Sequence, residues 1–327
     1  MLHTKKPLTL MCVQPCLPYF AWQVEVMLEN FKQLGVHHYY DIHILGAYNA
    51  ITDPIYQQNI GYFQKVEKRY AGVASFFYYQ DTRKMPINYI SGVRPNLLKQ
   101  HYLLNRDKIA DVVFYHDCDI LFTKTPHFLH AFIDGEEWYV SDTISYIGHD
   151  YILSKGEDVL DQMCEIVGIS KELVKEKQLQ SGGAQYIMKG VDFEFFDKMD
   201  RDCEHLFSAI TKMNNEKKRE NPSYHELQIW CADMWALLWG AWIRGRDTIV
   251  TPLLNFCWAT DPIEKWESNF IFHNAGVIAD MAQQLFYKYQ FHNQFPYEHE
   301  CNTYDQSKAS YKYFQMIKSI GQKSCLL

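Results

Sequence analysis

No stretch of this chain approaches the roughly 20 consecutive apolar residues that a membrane-spanning helix needs. The run from Leu8 to Val13 is too short for a secretory signal, and Gln14 and Pro15 end it, so the expectation is a soluble, cytoplasmic protein. No Asn-x-Ser/Thr acceptor with a permitted middle residue occurs, which agrees with that compartment. Paired cysteine spacing is missing too. The nine cysteines are an odd number, and Cys12-x3-Cys16 has no matching second pair, so they read as reduced thiols and not as a zinc site. Basic charge is short: 32 Lys and Arg stand against 39 Asp and Glu, for a formal net charge of −7. The balance argues against a broad electrostatic grip on nucleic acid, whereas a small anionic ligand held through a metal is compatible with such a chain. Two phosphate-binding signatures are absent, the glycine fingerprint of dinucleotide folds and the Gly-Lys-Ser/Thr loop.

What is present is core material and rings. Of 327 residues 47% are apolar and 16% aromatic, with 23 Tyr and 8 Trp. That suits either a tyrosine-rich core or a protein that stacks rings against sugars or bases. The first half alternates strand and helix patterns: strands at 8–13, 38–45 and 73–79, and helices opening at Pro18, around 53–69 and over 91–105. Such alternation predicts βαβ units and an α/β sheet flanked by helices. The second half predicts a short strand at 138–141 and an amphipathic helix over 156–167. A tight turn at Ser181-Gly182-Gly183 then runs into a strand, and a charge-rich break, a solvated helix end or loop, follows at 212–220. A long apolar helix is expected from Glu226 to Trp242, and a strand over 269–273. No repeat or linker is evident, and one compact domain is the simplest reading.

The stretch Phe114 to Phe122 organises the rest. It follows the apolar run Ala110 to Val113, and period-two alternation along a strand would put Asp117 and Asp119 on one side, with Cys118 on the other. Two carboxylates at the carboxyl edge of an α/β sheet can hold a hard divalent cation. A turn with two solvated aspartates is the competing interpretation. Downstream, Gly182 and Gly183 allow close approach of backbone to a ligand or a positive φ, and Gln185 and Tyr186 offer an amide and a ring. Asp233 falls in a helix of Trp, Ala, Leu and Met, where a carboxylate must be paired or face a cleft. Glu226, seven residues earlier and two helical turns away, falls on about the same face. His273-Asn274 closes the late strand and adds an imidazole. Arg94 opens the helix before the Asp117 strand and could pair with a diphosphate, or be a surface arginine; Lys99 is a weaker candidate.

Taken in order, an Asp-x-Asp, a Gly-Gly turn, an acid in an aromatic helix and a His-Asn at a strand end resemble the GT-A fold of nucleotide-sugar glycosyltransferases. Ser91-x-x-Arg94-Pro95, Trp230-x-x-Asp233-Met234-Trp235-Ala236 and Asp117-x-Asp119 look most like the retaining peptidyl arabinosyl- and galactosyltransferases of plants, although Cys231-Ala232-Asp233 departs from the acidic pair or Ser-Glu found there. The resemblance implies a Rossmann-like mixed sheet in a single catalytic domain over 1–290. Its nucleotide-sugar half would cover about 1–125 and its acceptor half about 126–290, with 291–327 as a C-terminal extension. It implies that Asp117, Asp119 and His273 hold the metal. Arg94, Ser91, Gly182, Gly183, Gln185 and Asn274 would line the substrate site, and Asp233, with Glu226 in reserve, would act toward the acceptor. Carboxylates with an imidazole suit Mn²⁺, and an all-oxygen shell would suit Mg²⁺. UDP is the nucleotide that the resemblance favours; the acceptor could be a glycan, a protein or a small molecule. A nucleotidyltransferase is the rival enzyme, disfavoured because Met11 to Tyr19 holds no glycine and no lysine. A sugar-binding protein without turnover would fit the same pattern, and so would a transferase acting on modified DNA bases, against which the acidic charge counts.

Overall fold

A computed structural model describes residues 5–83 and 89–324. In chain order its strands are β1 (Leu8–Pro15), β2 (Asp41–Tyr48), β3 (Ser75–Gln80), β4 (Val112–Tyr115), β5 (Ile120–Phe122), β6 (Trp138–Asp142), β7 (Gly182–Lys189), β8 (Thr248–Val250), β9 (Phe256–Trp258) and β10 (Ile271–His273). The chain forms two compact units interleaved in sequence. One takes Met1–Tyr78, His116–Ile133 and Leu253–Leu327; the other takes Tyr79–Tyr115 and Asp134–Pro252.

In the first unit β1 and β2 run parallel, from Thr9 opposite Asp41 to Pro15 opposite Ala47, and β3 lies on the other edge of β2. β1 is buried from Leu8 to Gln14, as expected of a parallel strand covered on both faces. The helix Pro18–Gln33 follows, with proline at its first turn, where the missing N–H costs nothing. Its Trp22 is fully buried and donates from Nε1 to the Phe291 carbonyl at 3.1 Å. A second, small sheet pairs β10 antiparallel to β5 and parallel to β9. The helix Ala309–Ser324 closes the apolar cluster of this unit, burying Tyr313, Ile317 and Ile320 with Trp22, Phe272 and Phe286.

In the second unit β7 pairs antiparallel with both β4 and β6, and β8 runs parallel to β6. The helix Ala232–Ile243 is buried from Ala232 to Trp242, so Trp235, Trp239 and Trp242 are core. It packs on β7 and on the helix Phe193–Glu220, whose N-terminus is capped by the Asp192 carboxylate accepting from the Phe195 N–H at 2.8 Å.

The α/β expectation of a mixed sheet with helices packed on it holds. Two local expectations are corrected. Asp117 and Asp119 lie in the turn between β4 and β5 and not within a strand, because aspartate side chains compete with ladder hydrogen bonds and favour turns. The apolar helix starts at Ala232, after one turn of 3₁₀ helix over Ile229–Cys231, and not at Glu226. Helix cannot run through Leu227 because Asn214 takes both its backbone groups, accepting from its N–H at 3.2 Å and donating to its carbonyl at 3.0 Å. The charge-rich stretch 212–220 is the solvated end of the 28-residue helix Phe193–Glu220, one of the two forms expected of it.

Candidate functional site

The first unit brings Asp117, Asp119 and His273 together, each offering one ligand atom within 4.8 Å of the others. Register does this. β10 pairs with β5 so that His273 lies opposite Ile120, next to Asp119, and the Asn274 N–H donates to the Asp119 carbonyl at 3.0 Å. His273 Nε2 is 3.5 Å from Asp117 Oδ2 and 3.3 Å from Asp119 Oδ1. The imidazole is held by rings, stacked 6.1 Å from Trp258 at 20° and edge-on to Phe256 at 5.0 Å. Its other nitrogen, Nδ1, is buried without a hydrogen-bond partner among the described residues. Asn274 is buried beside it.

A fourth group completes this cluster. The Lys288 ammonium donates to Asp119 Oδ2. Burial alone would push the Asp119 carboxyl up, but Lys288 and His273 more than reverse this and hold it well below the usual carboxylate range. Burial likewise opposes the charge on Lys288, and Asp119 overcomes it, so the ammonium is held above its ordinary value. Neighbouring His116 is driven down to about 4 by burial, against the pull of Asp117, and adds no positive charge at neutral pH.

The donor set fits a divalent cation. An ion about 2.1 Å from each ligand requires ligand atoms no more than about 4.2 Å apart, and both His273 distances lie inside that limit. The ammonium on Asp119 already occupies the position of a cation there. Two carboxylates and one ammonium leave one net negative charge; a divalent ion would turn it into one net positive charge, which suits an anionic ligand.

The second unit gathers a different set. Asp233, in the first turn of its helix, is buried and accepts from Arg94 Nη1 at 3.0 Å through Oδ2 and from the Tyr89 hydroxyl at 2.9 Å through Oδ1. The same hydroxyl accepts from the Asp233 N–H at 2.9 Å and lies 3.1 Å from the Trp230 carbonyl, so its one proton serves the carboxylate or the carbonyl. Tyr89 is itself fixed by stacking on Phe207, 4.2 Å between ring centres. Arg94 is thus an ion-pair partner of Asp233, near the start of the helix Val93–Asn105, with half-buried Ser91 in the turn before it. Lys99 pairs with Asp200 at 2.6 Å. Glu226 is exposed and pairs with Lys218 at 2.8 Å, away from any shared helical face with Asp233.

Gly182 and Gly183 open β7 and are not a turn, and neither has a positive φ; the left-handed residue is Ala184, at φ 68°. The glycines answer to packing. A Cβ on Gly182 would strike Val140 and come within 2.5 Å of the Ser141 carbonyl, and one on Gly183 would strike the Tyr186 hydroxyl and Met234. Gln185 is fully buried on the same strand, and neither of its amide atoms has a hydrogen-bond partner among the described residues. An orphaned buried amide costs about 1–3 kcal/mol unless a ligand or water completes it.

No protein-family model matches the chain, and no curated protein does. Solved structures do match. Galactosyltransferase LgtC, determined with donor and acceptor sugar analogues, is similar over 95% of this chain and 95% of its own, at 13% identity and a TM-score of 0.45. A glycosyltransferase involved in glycosylation of the major capsid of PBCV-1 is similar over 83% and 94%, at 10% identity and 0.40. Core-mannan synthase A of Aspergillus fumigatus, in a Mn/GDP form, is similar over 73% and 71%, at 8% identity and 0.32. The first two of these neighbours are named as a galactosyltransferase and a glycosyltransferase.

Sequence reasoning missed Lys288 and Tyr89. Lys288 had a signal: a cation inside Leu285-Phe286-Tyr287-Lys288-Tyr289 is expensive to bury without an anionic partner, so it implies a carboxylate elsewhere. Tyr89 had none, since one tyrosine among 23 carries no pattern.

Proposed function

We propose that the chain is a metal-dependent glycosyltransferase that moves a sugar from a nucleotide diphosphate, UDP foremost, to a hydroxyl acceptor. The observation that carries this reading is the convergence of Asp117, Asp119 and His273, from segments more than 150 residues apart, on one point beside Lys288. Mn²⁺ is the ion favoured by carboxylates with an imidazole, and when bound it supplies Lewis-acid neutralisation of the departing diphosphate. Asp117 and Asp119 would anchor the ion, and His273 would offer Nε2 to it. Lys288 adds a fixed positive charge for the anionic leaving group.

In this reading the Asp233 set addresses the acceptor. The acceptor oxygen bonds to the anomeric carbon as the bond from that carbon to the diphosphate breaks, and the hydroxyl proton leaves with the diphosphate. With both oxygens already accepting hydrogen bonds from Arg94 and Tyr89, the Asp233 carboxylate suits orienting the hydroxyl better than stripping it. Gln185 offers an unused amide to sugar hydroxyls.

The test is nucleotide release from a panel of UDP- and GDP-sugars with Mn²⁺. The parent chain should hydrolyse or transfer one donor; Asp119→Asn and His273→Ala should lower turnover at least 100-fold, and a chelator should abolish it reversibly. Turnover that survives both substitutions and chelation would rule the metal centre out.

A further inference from the structure

Three residues before Asp233, Trp230 turns its ring outward; at 56% exposure it is the most exposed tryptophan of the chain. The other tryptophans of this segment, Trp235, Trp239 and Trp242, are core. Trp230 stacks on Tyr146, with ring centres 6.3 Å apart and planes at 28°. Both rings are tied to the helix that carries Asp233. The Trp230 carbonyl lies 3.1 Å from the Tyr89 hydroxyl, the same hydroxyl that contacts the Asp233 carboxylate. Tyr146 stands on the single turn Ile144–Ile147, whose Ile147 carbonyl accepts from Trp235 Nε1 at 2.8 Å. On the other flank the Gln228 N–H donates to the Tyr151 hydroxyl at 3.1 Å and fixes the approach to Trp230.

One exposed apolar side chain is ordinary. Two stacked rings, anchored at separate points to the helix of a buried, hydrogen-bonded carboxylate, make a rigid surface. We infer that Trp230 and Tyr146 form an acceptor platform that takes the pyranose ring of a saccharide. A pyranose has an apolar face of C–H bonds and a rim of hydroxyls. The indole matches the face, and its N–H, which no described residue occupies, matches the rim. A serine-bearing peptide has the hydroxyl but no flat apolar face. The inference rests on the reading in which the Asp233 set addresses the acceptor, and it narrows that acceptor to a glycan.

The experiment has a binding arm without donor and a transfer arm with it. In the first, methyl glycosides of glucose, galactose and mannose, and lactose and maltose, are titrated into the full chain with indole N–H resonances and tryptophan fluorescence as readouts. Serine peptide and tyrosinamide serve as non-saccharide hydroxyls. At least one saccharide should shift the Trp230 indole, assigned by its loss in Trp230→Phe; Trp230→Ala should weaken binding at least tenfold, and Trp230→Phe should recover part of it. In the second, Trp230→Ala should raise the acceptor KM at least tenfold with a much smaller change in kcat. Trp230 is exposed, and circular dichroism of both variants verifies that they fold. Saccharide binding indifferent to Trp230→Ala would overturn the platform, as would binding of the peptide or tyrosinamide alone, or self-association through Trp230. A parent chain without donor turnover that still binds saccharide through Trp230 would instead count against the metal-centre reading and leave the platform standing.

Discussion

In the cluster of Asp117, Asp119 and His273, the Lys288 ammonium shares Asp119 with whatever cation the site takes. Without Lys288 the two carboxylates would be left as two negative charges with only an imidazole beside them. Lys288→Met keeps the apolar stem and removes the charge. It should therefore tighten Mn²⁺ binding roughly tenfold, since a competing positive charge is gone. It should also lower the stability of the metal-free chain by about 1–3 kcal/mol, because Asp119 loses a charge-assisted hydrogen bond. Titration with Mn²⁺ followed by electron paramagnetic resonance, and thermal unfolding with and without metal, read the two effects. Unchanged affinity and unchanged Tm together would mean that the ammonium is not coupled to the site. At this scale much was legible. An Asp-x-Asp after an apolar run and a histidine closing a strand are local patterns, and their residues converge. For Lys288 the need of an anionic partner was legible but not which one, because Asp119 lies 169 positions away.

Between residues and the whole chain, glycines and helix contacts decide stability. Gly61 sits inside the helix Tyr56–Arg69 with nothing near the place of a Cβ, whereas Gly182 faces Val140 and the Ser141 carbonyl. Gly61→Ala should stabilise by about 0.5–1 kcal/mol through helix propensity, and Gly182→Ala should destabilise by about 1–3 kcal/mol through overpacking. Thermal unfolding gives both, and equal shifts would contradict the packing account of Gly182. The sequence marked Gly182 as special but not why, since a neighbour on β6 is invisible in a linear pattern. The start of the Asp233 helix was obscured likewise, by the Asn214 side chain that takes the Leu227 backbone. In the first unit Glu25, on the helix Pro18–Gln33, pairs with Arg69 and accepts from the Tyr297 hydroxyl. Burial pushes its carboxyl up from 4.5, and Tyr297 and Arg69 only partly oppose this. For an acid whose folded pKa is raised, the stabilising contribution is full below the unfolded value and is lost as pH rises through the folded one. Glu25→Gln should remove that loss, so the Tm of the variant should gain on the parent as pH rises from about 4.5 toward neutrality. A constant difference across that range would show that Glu25 does not titrate as its surroundings demand.

At the scale of the molecule, the α/β class and the acidic balance were readable from pattern and composition, but the interleaving of the two units was not. The chain passes between units near residues 78, 115, 133 and 252, and only the short acidic turn Asp134-Gly135-Glu136-Glu137 at the third of them stands out in the sequence. Within the first unit the helix Ala309–Ser324 is a core element. Phe272, which precedes His273 on β10, is fully buried in the same apolar cluster as Tyr313, with ring centres 5.7 Å apart. Ending the chain after residue 290 would strip Tyr304, Tyr313, Phe314, Ile317 and Ile320 from that cluster and expose Trp22, Phe272 and Phe286 to water. Each buried ring or branched side chain lost in this way removes about 1.5–3 kcal/mol, and the five together are as large as the roughly 5–15 kcal/mol that holds a domain folded. Because β10 then loses its backing, His273 loses its position opposite Ile120, and the proposed metal centre loses its third ligand. The truncated chain should show no cooperative unfolding transition and no Mn²⁺ binding above that of Asp119→Asn. A 1–290 fragment that unfolds cooperatively and binds Mn²⁺ like the parent would mean that the metal ligands are held by the two sheets alone.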